Sequence, residues 1–278
     1  AGSSNVLTEP WREIPECRNN KENLNFVKSY SPKHPEVQHL KILLNGPVGA
    51  GKSSFISSVD SVLHGDIMCR ALTNVKLVDG SFTKTYKTYR FLRQSDPNNP
   101  FGFSINDIVG LEESKGVHIN DISLALKGHV KDGYKFKPSS PLTESDEGYN
   151  PSPTLQDRVH VLVSVIAADN ETILTEEMQK KMREIRNIAS ELGISQLAIL
   201  TRCDKACPAV ADGMANLYKS KYLKGMADEL GDKLGIPPNC IFLVKNYEEE
   251  TRIRDDVDAP ILCALRQIIS SGDDFLTD

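Results

Sequence analysis

Cysteine, tryptophan and long apolar runs are all scarce in this chain. Its six cysteines, at 17, 69, 203, 207, 240 and 263, are too few and too scattered for a disulfide framework. Those at 203, 240 and 263 lie in or beside apolar stretches, the pattern of reduced thiols. No apolar run approaches the roughly 18 to 20 residues that cross a bilayer, and no secretory leader is visible, so no membrane segment and a cytoplasmic location are expected. Positive charge is not in excess either. A formal net charge of −5, with Lys and Arg spread along the chain, offers no basic arm or stripe, which argues against a nucleic-acid partner. There is no fixed-period repeat and no sustained heptad pattern, which excludes a solenoid and a coiled-coil stalk. The histidines form no HExxH arrangement, and Cys203 and Cys207 lack a second ligand pair for structural zinc.

What remains is a chain of 278 residues, long enough to bury a substantial core and suited to one large α/β domain. Ala1-Gly2-Ser3-Ser4 reads as an expression scar. Residues 1–36 are therefore set aside as an N-terminal segment, and the domain is expected over 37–278. Hydrophobic patterning predicts strands at 37–44, 86–92, 101–105, 159–167, 197–200 and 241–244. Helices are expected at 54–63, 176–192 with Thr175 as its cap, 214–234 with a break near Gly225, and 259–269 after Pro260. Strands 86–92 and 101–105 follow one another without a helix, which fits one antiparallel edge pair in a mostly parallel sheet. The order is that of a three-layer α/β sandwich with ligands at the carboxyl ends of its strands. Residues 137–153, with four prolines, are expected to form a mobile surface excursion.

The most informative motif follows the first strand. Gly46-Pro47-Val48-Gly49-Ala50-Gly51-Lys52-Ser53 has the spacing of a nucleoside-phosphate-binding loop, and it stands between a strand and a helix. Its glycines let backbone N–H groups turn toward phosphate oxygens, and the following helix offers its unsatisfied donors. Lys52 would reach the β and γ phosphates and Ser53 would hold Mg²⁺, with Ser54 beside it. Asp107-Ile108-Val109-Gly110 follows the third strand, where Asp107 can address Mg²⁺ through water and the Gly110 N–H can meet the γ phosphate. A switch threonine is sought among Thr83, Thr85 and Thr88, with Thr85 chosen as a metal ligand because it directly precedes a strand. Leu200-Thr201-Arg202-Cys203-Asp204 ends another strand. There Asp204 can accept both guanine N1–H and the exocyclic amine, a donor pair that adenine lacks, and the stem of Arg202 can lie against the base.

With these pieces in order, the chain resembles the guanine-nucleotide-binding superfamily: GPVGAGKS as phosphate motif, DIVG as switch motif, and TRCD, including Thr201, for the base motif. Arg202 stands where that superfamily more commonly has lysine. Asn246, in Val244-Lys245-Asn246-Tyr247, falls where the superfamily contacts the base through a loop. The resemblance implies a small-GTPase-like P-loop NTPase fold binding GTP or GDP with Mg²⁺. Narrower still, Trp11-Arg12-Glu13-Ile14-Pro15, GPVGAGKSSF, Tyr89-Arg90-Phe91 and TRCDKAC resemble the interferon-induced protein 44 and 44-like family. That likeness implies an interferon-inducible, antiviral, immune-related protein. Leu111 occupies the place where small GTPases often carry a water-orienting glutamine, and it cannot hydrogen-bond through its side chain. A switch or scaffold with slow hydrolysis is therefore expected unless Glu112, Glu113 or a partner positions water. The alternatives are a GTP hydrolase completed by self-association as a homodimer, and a nonenzymatic interaction module with a vestigial pocket.

Overall fold

The structure, a computed structural model, describes residues 5–14, 19–68, 84–108, 117–169 and 174–278. Six strands make one sheet: β1 Leu40–Asn45, β2 Tyr86–Arg90, β3 Phe103–Ile108, β4 Val161–Ala167, β5 Ser195–Thr201 and β6 Ile241–Leu243. Their spatial order is β2-β3-β1-β4-β5-β6. All neighbours are parallel except β2 and β3, which run antiparallel with Tyr86 opposite Ile108. The expected three-layer, P-loop-like α/β architecture with one antiparallel edge strand is what the chain forms.

Strand alternation sorts the core into two layers. Leu40, Ile42 and Leu44 of β1 and Val161, Val163 and Val165 of β4 face one side. Helices α1 (Asn20–Ser29), α2 (Lys52–His64) and the long α8 (Asp255–Thr277) contribute to the core on that side. Leu43, Leu162 and Ile166 face the other side, toward α3 (Ile119–Leu126), α4 (Glu176–Glu191) and α7 (Lys221–Leu234). Two short helices, α5 (Cys203–Ala206) and α6 (Pro208–Asp212), follow β5. Both sheet edges are covered, which blunts them against pairing with other chains. Residues 132–136 pair with the free side of β2 through Tyr86 N to Tyr134 O and Gly133 N to Tyr86 O. The N-terminal segment clamps the β6 edge, where Arg12 donates to the Pro238 and Ile241 carbonyls and lies over the Tyr218 and Phe242 rings.

Several boundaries differ from the sequence reading, each for a local reason. Val37, Phe101 and Val159 are core residues but precede their strands, since burial alone does not require extended pairing. β3 continues through Asn106, Asp107 and Ile108, so Asp107 lies inside the strand rather than past it; polar residues had hidden the strand's end. The helix expected at 214–234 is a 3-10 turn at Met214–Asn216 followed by α7, which the Ser220 side chain caps by accepting from Leu223 N at 3.1 Å; Gly225 does not break it. α8 starts at Asp255 and holds Pro260 within it, its first turn favoured by Asp255, Asp256 and Asp258. α1 was not anticipated. It has few buried residues of its own, and it is fastened to α8 by Arg266, which donates to Asn23 and lies over Phe26. The Thr175 cap of α4 is present as expected, accepting from Met178 N. Cys203, Cys207 and Cys240 carry free thiols, whereas Cys263 is disulfide-bonded, a departure from the uniformly reduced pattern expected. Among the described residues no helix is long and apolar enough to cross a membrane.

One buried histidine makes the fold pH-sensitive. The fully buried His160 accepts the Lys41 backbone N–H at Nδ1 (2.8 Å) and donates from Nε2 to the Leu155 carbonyl (2.7 Å), so both ring positions are used by the neutral ring. Burial pushes its pKa down to about 4, with the charges of Lys41, Arg158 and His34 acting the same way. The unfolded chain binds this proton near pH 6.5 and the folded chain only near pH 4, so stability falls as pH drops through that window. His160→Gln is expected to flatten the fall, which this histidine alone makes about 3 kcal/mol. Urea denaturation at a series of pH values measures it, and an equal fall in the variant would assign the sensitivity elsewhere.

Candidate functional site

Residues 46–51 link Asn45, the last residue of β1, to Lys52, the first of α2. Gly49 (φ 81°) and Gly51 (φ 93°) take left-handed conformations that a side chain would strain. Gly46 has a different reason to be glycine: a Cβ there would stand 2.1 Å from the Val165 carbonyl oxygen of β4. Gly51 is the N-cap of α2 and supplies no capping side chain, so the first turn of the helix faces the loop without a side-chain acceptor. Val48 is exposed, Gly49 lies at the surface and Ala50 is buried, which puts the loop's middle outward and its end against the core. Pro47 accepts at its carbonyl from Ala50 N and closes the turn. Ser53 and Ser54 are half-buried in the first turn of α2.

Lys52 is 7 % exposed, and its ammonium donates to the Gly46 carbonyl at 2.6 Å and the Pro47 carbonyl at 3.3 Å. Burial lowers its pKa, partly opposed by the charge of Asp107. Asp107 is 3 % exposed and pairs in register with Leu44, which sets it beside the start of the loop. Burial raises its pKa against the pull of Lys52, and its Oδ1 is buried with no hydrogen-bond partner. An orphaned carboxylate oxygen beside this glycine-rich loop is a fitting environment for a hydrated divalent cation. Because β2 runs against β3, Thr85 also lies at this end of the sheet, bridged to Lys135. Gly110, Leu111, Glu112, Glu113 and Thr83 lie outside the described residues.

The predicted base-side residues divide into two groups. Thr201 and Asn246 face the phosphate loop: Thr201 Oγ1 donates to the Ala50 carbonyl (2.5 Å), and Asn246 Nδ2 donates to the Gly51 carbonyl (3.2 Å). Both side chains would lie 3.2 Å from a Cβ at Gly51. The other group is ionic. Arg202, the one non-glycine residue with positive φ (59°) among the described residues, donates to Asp169 at 2.8 Å and lies 3.7 Å from Glu248. Asp204, in the first turn of α5, is 3.5 Å from Lys245, which also pairs with Glu250 at 2.6 Å.

Sequence reasoning missed Asp169, Lys245, Glu248 and Glu250 as members of this cluster, as well as Ser58, whose hydroxyl accepts from Tyr247 N at 2.9 Å. The available signal was position: Asp169 follows β4 by two residues and Lys245 follows β6 by two, so both stand at the carboxyl edge.

The chain is similar to the interferon-induced 44 proteins. It is 32 % identical to mouse interferon-induced protein 44 over 255 residues, 92 % of this chain and 60 % of that protein. The human 44-like protein is 32 % identical over 254 residues, 91 % of this chain and 56 % of that protein. Human interferon-induced protein 44 is 31 % identical over 259 residues, 93 % and 58 % of the two chains. The chain thus spans somewhat more than half the length of these 44 proteins. No family profile matches it.

Proposed function

We propose that residues 37–278 form the guanine-nucleotide-binding domain of a member of the interferon-induced protein 44 and 44-like family, cytoplasmic and immune-related. It would act as a switch or scaffold with slow intrinsic hydrolysis. The observation that carries this reading is the loop 46–53: left-handed glycines and a buried ammonium at an uncapped helix start, beside a buried carboxylate oxygen without a partner. GTP or GDP phosphates would lie over Gly49 to Ser53 with Lys52. Mg²⁺ would be held by Ser53 and, through water, Asp107, with Thr85 as the candidate switch ligand. The nucleotide supplies the phosphates that recover the cost of the enclosed ammonium. Guanine would be read by Asp204, once Lys245 yields its place.

Calorimetry with Mg²⁺ and either GTP or ATP tests the base assignment. Asp204→Ala is expected to remove a preference for guanine of about 1 to 3 kcal/mol while leaving the triphosphate contacts. Equal affinity of the unaltered protein for GTP and ATP would reject Asp204 as the guanine reader. A second reading, a nonenzymatic antiviral interaction module with a vestigial pocket, draws on the same contacts: Lys52 is satisfied by its own loop and Asp204 is paired with Lys245. Failure of every nucleotide to bind at millimolar concentration would favour it. A third reading is a GTP hydrolase completed by self-association; phosphate release per protomer that climbs with protein concentration would support it.

A further inference from the structure

A cavity of about 640 Å³ opens at the amino-terminal ends of the parallel strands, the end of the sheet away from the phosphate loop. Its floor is the sheet. Lys41 of β1 and Arg90 of β2 are both in register with Ser104 of β3, so the three lie in one row across adjacent strands, and all line the cavity. Strand spacing of about 4.8 Å sets the two cationic residues about 10 Å apart, with the serine hydroxyl between them. Farther along this face the sheet is apolar, at Leu43, Leu162 and Ile166. Packing against a covering layer calls for that apolar character, and the polar row departs from it.

The roof is the connection between α3 and β4, and it is framed to stay open. Asn150 N donates to the His129 carbonyl at 2.7 Å, Lys131 N donates to the Gly148 carbonyl at 2.9 Å, and the His129 and Tyr149 rings stack 5.0 Å apart. Gly128, at φ 88°, has no room for a Cβ, which would meet the Asp157 backbone at 2.9 Å.

Cationic side chains gather in this space. The Lys41 ammonium has a single long bond, 3.3 Å to the Asp157 carbonyl, and burial lowers its pKa, with the charge of Arg90 adding to the effect and Asp157 and Asp132 opposing it. Lys131 adds a third cation to the lining. The carboxylates are partly engaged: Asp157 Oδ2 accepts from Thr154 N and Oγ1 and from Asn150, and Asp132 Oδ1 accepts from Thr88 N at 2.7 Å. The carboxylate of Asp132 and the hydroxyl-bearing Thr88 and Ser104 line the same cavity.

We propose that this cavity binds a phosphorylated sugar or polyol. The phosphate monoester lies over the Lys41–Ser104–Arg90 row with Lys131, and the ligand hydroxyls meet Asp132 and Thr88. The pairing of an arginine fork with a lysine point charge suits a phosphate dianion. The volume suits a small metabolite.

The test is calorimetry on the full chain carrying Lys52→Ala, so that the phosphate loop does not compete, with glucose 6-phosphate, glycerol 3-phosphate, inorganic phosphate, glucose and glycerol as probes. Glucose 6-phosphate is expected to bind, glucose and glycerol not to bind, and Arg90→Ala and Lys41→Met each to weaken binding about tenfold or more. Lys41→Met keeps the buried stem. If it nonetheless unfolds, Arg90→Ala and Lys131→Ala, at exposed positions, carry the test. Absence of binding by either phosphate ester at millimolar concentration, or affinity unchanged in these variants, overturns the proposal. Inorganic phosphate binding as tightly as the esters overturns the assignment to a sugar phosphate.

Discussion

Alanine at Lys52 is expected to weaken binding of GTP with Mg²⁺ by about 100-fold or more, with little change in the stability of the nucleotide-free protein. The ammonium is buried and donates to two carbonyls of its own loop, Gly46 and Pro47. A charge held this way has lost most of its hydration, as its lowered pKa reflects. It is therefore primed for an anion at little further desolvation cost. Charge-assisted hydrogen bonds are worth about 1.5 to 3 kcal/mol each, and losing two of them toward phosphate corresponds to about two decades or more of affinity. In the nucleotide-free state two effects oppose one another. Removing Lys52 relieves a buried charge, but it also leaves Asp107 without its attraction, and burial already favours the protonated acid there. Because burial already favours protonated Asp107, the net loss near neutral pH is expected to stay well below the about 3 to 5 kcal/mol that breaking a buried ion pair costs. Calorimetry and urea denaturation of the same variant measure both halves. Undiminished GTP binding would reject the phosphate loop as the site. A loss of several kcal/mol of stability would make Lys52 a structural ion-pair partner of Asp107 instead.

The largest stability loss is expected for Gly46→Ala. The added Cβ would sit 2.1 Å from the Val165 carbonyl oxygen, which belongs to the backbone of β4 and cannot swing aside. Either the loop lifts away from β4 or the strands separate locally, and a cost above about 3 kcal/mol is expected. Gly65 is the contrasting case. Its φ is 70°, but nothing lies within 4 Å of a Cβ, so Gly65→Ala carries only the conformational penalty of about 1 to 2 kcal/mol. Denaturation midpoints of the two variants separate close packing from backbone conformation as the reason for glycine. Equal losses would mean that the approach of the loop to β4 is not what constrains Gly46.

The sequence determined by itself whatever depends on local order. A strongly apolar, β-branched run in 159–167 and helical spacing in 176–192 located β4 and α4, and an antiparallel pair followed from two strands without a helix between them. The phosphate-loop motif is legible because its donors are contiguous backbone and one lysine. The sequence left unresolved whatever is made of distant parts. The exclusion of a Cβ at Gly46 by Val165, and the tethers from Thr201 and Asn246 to the loop, join residues from about 120 to 195 positions apart. The same holds for the base-side ions, where Asp169, Arg202 and Glu248 come from three separate strand ends. Even α1 depends on α8, because a short helix with few apolar residues gains its stability from what it packs against. The row of Lys41, Ser104 and Arg90 is another case. Each residue looks ordinary in sequence, and strand order alone, β1 beside β3 beside β2, aligns them, because hydrogen-bonded register is a property of the sheet and not of any one strand.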